Sequence, residues 1–125
     1  MKSIQRLFGS VVLGVSFVVG SGAASAQDSA VVNARTTHVK FENDRVRVLE
    51  ANLPPGAREQ VHSHPAHVIY VLAGGKVRNH TADGKVTEAV LKEGDVLYRE
   101  SMTHAAENIG DSPLHLILVE LKKQD

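Results

Sequence analysis

The chain has 125 residues, 14 Lys plus Arg against 14 Asp plus Glu, seven histidines and no cysteine. That length suits one domain around one modest core, and the balanced charge leaves no electrostatic footprint for nucleic acid. Without cysteine there are no disulfides, thiolate nucleophiles, iron–sulfur clusters or thiolate zinc sites, so any metal must sit on nitrogen and oxygen.

At the start of the chain Lys2 and Arg6 precede an apolar run from Leu7 to Val19, and small residues follow in Ala24-Ser25-Ala26-Gln27. This is the pattern of a secretory signal peptide over residues 1–26, cleaved after Ala26. As a membrane anchor the run is short of the roughly 20 residues a span needs, and Gly9, Gly14 and Gly20 interrupt it. The expected product is exported, periplasmic or secreted, and free of the membrane after cleavage. Loss of Lys2 and Arg6 leaves 12 basic against 14 acidic residues, a formal charge of −2. A small exported domain lacking disulfides must draw its stability from packing, from association or from metal.

Gln27 to Arg35 is small and polar without a clear period and reads as a flexible lead-in or a short edge segment. The domain proper is expected over residues 36–123. There the sequence breaks into nine short runs, Thr37–Phe41, Arg45–Leu53, Gln60–His64, His67–Leu72, Lys76–His80, Lys85–Leu91, Asp95–Glu100, His104–Ile109 and Leu114–Leu121. Turn signals separate them, among them Pro54-Pro55-Gly56, Gly74-Gly75, Asp83-Gly84 and Glu93-Gly94-Asp95. Asp83-Gly84 is the strongest hairpin signal. Short strands at regular spacing with no sustained helical period predict an all-β sandwich or barrel. A barrel of about eight strands has an interior wide enough for side chains or one small ligand.

His62 and His64 stand two apart in a strand-like run, so both imidazoles point to one face, as a metal site requires. His67 opens the most apolar mid-chain strand, and His104 opens another after Gly94. The bland alternative for each is a solvated or packed strand histidine, and that reading is preferred for His38, His80 and His115, with His80 placed near the barrel mouth. Tyr70 falls on the opposite strand face from His67 and reads as packing. Arg99 reads as a solvated charge, with an anion anchor as its functional alternative. Glu100 reads as exposed; its alternatives are an acceptor for a ligand imidazole or a general base.

In these residues the chain resembles the cupin superfamily, in its small single-domain form. The first motif, G-x5-H-x-H-x3,4-E-x6-G, is met by Gly56, His62, His64 and Gly74, with His67 in the place of the glutamate. The second, G-x5-P-x-G-x2-H-x3-N, is met by Gly94, His104 and Asn108, but Glu100 replaces proline, Met102 replaces glycine, and the stretch before His104 is one residue shorter. The resemblance implies a cupin-type (double-stranded β-helix, jelly-roll) barrel, commonly a homodimer. It also implies one divalent metal ion on His62, His64, His104 and, in the glutamate position, His67.

An all-imidazole set suits iron, copper, nickel or zinc, and manganese less well. It leaves the site positive and receptive to anionic groups. Three functions remain open at this level. One is a metal-dependent enzyme, an oxygenase, isomerase or lyase acting on a small organic substrate; another is a non-catalytic module that binds a metal or small molecule outside the cytoplasm. A barrel used only for association is a third.

Overall fold

The computed structural model describes residues 27–125, so the signal peptide expected over residues 1–26 lies outside the described residues. One helical turn, α1 (Ser29–Val32), precedes nine strands: β1 (Thr37–Glu42), β2 (Val46–Leu53), β3 (His62–His64), β4 (His67–Ala73), β5 (Gly75–Thr81), β6 (Val86–Leu91), β7 (Val96–Arg99), β8 (Met102–Asn108) and β9 (Leu114–Leu121). Each strand overlaps one of the nine runs read from the sequence, and the all-β class stands. The strands form two antiparallel sheets, one ordered β1-β2-β9-β4-β7 and the other β3-β8-β5-β6.

Period-2 alternation decides what lies between the sheets. From β2, Leu49, Ala51 and Leu53 point inward; from β9, Leu114 and Leu118 do the same, and Val71 of β4 and Val77 of β5 complete the buried apolar set with Ala105. These residues gather into two clusters. Leu49, Ala51 and Leu118 form one, and Leu53, Val77 and Leu114 form the other. Beyond the first cluster, at the Glu120 end of β9, the interior turns polar, because His62, His64 and His67 are buried there.

The motif glycines are explained by turns and close approach. Gly94 has φ +86 and Gly56 φ +78, conformations that a side chain makes costly. Gly74 is different: a Cβ there would lie 2.1 Å from the Leu91 carbonyl oxygen, so only glycine lets the β4–β5 turn pass that backbone.

The stretch expected to be a flexible lead-in or edge segment forms α1 and is tied to the barrel. Asp28 caps the turn by accepting from the Ala30 amide at 2.8 Å, and the Ser63 amide donates to the Gln27 carbonyl at 2.9 Å. Short polar residues favour a cap when partners are available, and here β2 and β3 supply them.

Candidate metal centre

The histidines meet because of strand register. His62 of β3 lies directly opposite His104 of β8 across the four-stranded sheet, and His64 lies two residues along on the same face. One ring nitrogen from each of the three comes within 4.8 Å of the others. His67 enters from the opposite sheet on β4, its ring centroid 4.8 Å from that of His64. The close set is therefore His62, His64 and His104, with His67 flanking it.

Each ring is anchored through Nδ1 to an oxygen. His62 Nδ1 lies 2.8 Å from the Gln60 carbonyl, His64 Nδ1 2.6 Å from Glu120 Oε1, His67 Nδ1 2.8 Å from the Pro65 carbonyl, and His104 Nδ1 3.1 Å from Asn79 Oδ1. A carbonyl or carboxylate oxygen can only accept, so Nδ1 of His64, His67 and His104 carries the proton and Nε2 keeps its lone pair. His62 Nδ1 also has Asn33 Nδ2 at 3.1 Å, but its shorter contact is the 2.8 Å one to the Gln60 carbonyl, which assigns it the same tautomer. The Nε2 atoms of His62 and His64 are 2.9 Å apart. Two lone pairs at that distance repel unless a cation lies against them, and oriented imidazoles with oxygen partners on the far nitrogen are what a divalent ion takes as ligands. Burial also favours the neutral form of three of the rings: His62 is pushed down to about 4 and His104 to about 3, and His67 is lowered, desolvation being the main cause in each. The donor set thus fits one borderline metal ion.

A cavity of about 90 Å³ opens beside the cluster. Its floor is apolar, from Ile69, Val77, Leu97 and Leu118, and its polar wall includes Glu59, Thr37 and Arg99. The Thr37 hydroxyl is buried with no hydrogen-bond partner among the described residues. Glu59 was not anticipated. Its Oε2 sits 3.6 Å from His62 Nε2 and accepts from the Ala106 amide at 3.1 Å, and burial raises its carboxyl to about 7.

Glu120 and Asn79 were also missed as partners of the ligand rings. Glu120 had a signal, since it shares strand parity with Leu114, Leu116 and Leu118 and is a charge on the buried face of β9. Asn79 shares the parity of buried Val77 on β5, a weaker signal of the same kind, and Glu59 had none.

The remaining sequence candidates stand apart from the cluster. Arg99 is exposed, as the solvated-charge reading expects, but also lines the cavity from β7; Glu100 is exposed as well. His80 lies 3.5 Å from Glu107, His115 pairs with Glu50 at 2.8 Å, and His38 is exposed. Asn108 of the second motif clamps backbone: its Nδ2 donates to the Leu53 and Ser112 carbonyls at 2.9 and 2.8 Å.

Comparison with known proteins agrees with this geometry. The family model described as a cupin domain matches residues 49–120. The chain belongs to the cupin family. Among solved structures, this cupin is similar to a cupin domain from Bordetella pertussis, with 27% identity, a TM-score of 0.64, and 70% of this chain and 92% of that one covered. It is similar also to a conserved protein with a double-stranded β-helix domain from Klebsiella pneumoniae, at 26% identity and a TM-score of 0.53, covering 69% and 82%. An oxalate decarboxylase structure is 30% identical with a TM-score of 0.50; 63% of this cupin is covered, but only 22% of that chain. A search of curated proteins gave no match.

Proposed function

We propose that this cupin is a mononuclear metalloprotein that binds a small organic anion at its ion and acts on it as an enzyme. His62, His64 and His104 hold one divalent ion, iron, copper, nickel, zinc or manganese, and His67 supplies a fourth imidazole through its Nε2. The observation that carries the reading is the 2.9 Å approach of two Nε2 lone pairs whose Nδ1 protons are already committed to oxygens.

When bound, the ion would supply Lewis acidity or, as iron or copper, a redox centre. No carboxylate belongs to the proposed ligand set, so the ion's charge is not neutralised by its ligands, which favours an anionic partner. Arg99 stands at the cavity wall as a second cation, and the Thr37 hydroxyl offers an unspent hydrogen bond. The cavity volume of about 90 Å³ suits a ligand of a few heavy atoms. The similarity to an oxalate decarboxylase supports a small carboxylate as the substrate class. Glu59 favours turnover over simple capture, because it places a carboxyl able to hold a proton on the same wall as the ligands.

The test is elemental analysis of the untagged protein beside a His62→Ala/His104→Ala variant, followed by a carboxylate turnover screen with the metal found. Near one equivalent of metal, lost in the variant, supports the site. No metal in either protein after reconstitution would overturn it, and metal without turnover would return the protein to a binding module.

We also propose a homodimer formed through the outer face of the five-stranded sheet. Tyr70 and Leu72 of β4 and Val96 and Tyr98 of β7 are exposed there, with Phe41 and Leu121 at the far end and half-buried Val68, Ile117 and Val119 between them. A continuous apolar face of this kind exceeds what single chains usually expose. A second copy of the same face would cover it, and a stable dimer buries roughly 800 Å² per partner. The pattern of residues 1–26 supports export of the protein.

A further inference from the structure

Asp28 sits outside the histidine cluster but touches the chain of groups behind His64. Arg47 and Glu120 are cross-strand partners on β2 and β9, and both point to the inner end of the sheet. Two carboxylates therefore flank one guanidinium. Asp28 takes it as a fork, with Arg47 Nη1 donating to Oδ2 at 2.7 Å and Nη2 to Oδ1 at 2.8 Å. Glu120 is left at 3.9 Å from Nη1, too long for a hydrogen bond, and instead accepts from His64 Nδ1 at 2.6 Å. Arg47 Nε is buried and unpartnered among the described residues, so the guanidinium still has a donor to spend. Glu42, the other carboxylate near it, is 4.0 Å away and already holds Lys122 at 2.6 Å.

We propose that Asp28 is a positioning residue for the histidine cluster: by holding Arg47 in a bidentate pair it withholds the guanidinium from Glu120 and leaves that carboxylate to His64. A carboxylate accepting from the far nitrogen of a ligand imidazole fixes the ring and raises its basicity. An arginine fork on the same carboxylate draws its charge away and competes for its oxygens. α1 brings Asp28 to this point, so the N-terminal turn is part of the site's support. The inference rests on the metal reading for one of its two measurements only.

The experiment compares Asp28→Asn, Arg47→Met and the double variant with the unaltered protein. Asparagine caps helices as well as aspartate does, so α1 keeps its cap while the strong pair with Arg47 is lost. Cobalt(II) affinity is measured by competition with a chromophoric chelator, and the low-field proton resonance of His64 Nδ1–H is followed in metal-free protein. Asp28→Asn is expected to weaken cobalt binding about 10-fold and to move the His64 resonance upfield. Arg47→Met should bind at least as tightly as the unaltered protein, and the double variant should recover both the affinity and the resonance. A purely structural role predicts the reverse, with the double variant no better than Asp28→Asn. That result, or an Asp28→Asn resonance like that of the unaltered protein, overturns the proposal. Absence of cobalt binding in the unaltered protein overturns the metal reading alone, and the resonance still decides the role of Asp28.

Discussion

Glu120 Oε1 stands 2.6 Å from His64 Nδ1, with both side chains buried between the sheets. A carboxylate in that place does more than fill space, because it sets which nitrogen of His64 is free. Glu120→Gln keeps the size and removes the charge, and the amide can present its NH2 to Nδ1 and favour the wrong tautomer. We expect metal affinity to fall by about 10–100-fold with the β-sheet circular dichroism unchanged, as read by chelator competition.

The four histidines should not contribute equally. His62 and His104 are cross-strand neighbours at the heart of the set, whereas His67 reaches it from the other sheet. Loss of His62 or His104 is expected to abolish stoichiometric metal, and His67→Ala to retain it with affinity reduced about 10-fold or more. Equal losses in all three variants, measured by elemental analysis after dialysis, would make His67 an equal ligand.

In the metal-free protein acidity should destabilise the fold. His62 and His104 are held to about 4 and 3, so the unfolded chain, titrating near 6.5, takes up protons that the native state refuses. Their contribution is intact above about 6.5 and is lost as the pH falls toward those depressed values. Glu59 opposes this. Its carboxyl is raised to about 7, so the native state takes its proton first and gains stability as the pH falls from 7 toward the ordinary value of 4.5. Two histidines outweigh one glutamate, and the net loss from pH 7 to pH 5 is on the order of 1–2 kcal/mol. Urea unfolding at the two pH values measures it; His67, also lowered by burial, adds to the histidine side, and His104→Gln should make the loss smaller.

The outer face of the five-stranded sheet gives a separate test. Tyr70 and Tyr98 are 45% and 51% exposed, which leaves room for lysine at either position without entering the core. Tyr70→Lys/Tyr98→Lys is expected to sediment as a monomer with metal content unchanged. A variant that sediments with the same mass as the parent would move the dimer contact elsewhere or remove it.

Glycine substitutions should separate close approach from turn strain. Gly94→Ala meets nothing within 4 Å and bears only the cost of φ +86, about 1–2 kcal/mol. Gly74→Ala sets a methyl 2.1 Å from the Leu91 carbonyl oxygen, against backbone that cannot step aside. Its cost should exceed that of Gly94→Ala and reach about 3 kcal/mol, as read from unfolding midpoints.

The strands were readable because β-branched, apolar or alternating runs were set apart, in nearly every case, by turn residues such as Gly, Pro or Asp. His62, His64 and His104 were readable because strand parity and motif spacing both point at them. What escaped was whatever depends on register between distant strands. Glu59 reaches His62 from a loop-like segment with no pattern of its own, and Asn79 meets His104 only because β5 pairs with β8. Arg47 and Glu120 lie on the buried parity of β2 and β9, so each alone looks like a misplaced charge. Paired in register, they become a network. The helical turn at the N-terminus was not legible because Asp28 and Asn33 find their partners, Arg47, Gln60 and His62, only after the barrel has formed.

The pairing of β3 with β8 also orders events in time. About half of the barrel's chain lies between His62 and His104, and closing so long a loop belongs to the slow, non-local part of folding. A nascent chain therefore has no finished nest of imidazoles to offer. Divalent ions are chosen less by affinity than by abundance where a site first becomes competent. On the proposed metal reading, the ion bound should accordingly record the compartment in which the last strands zip together.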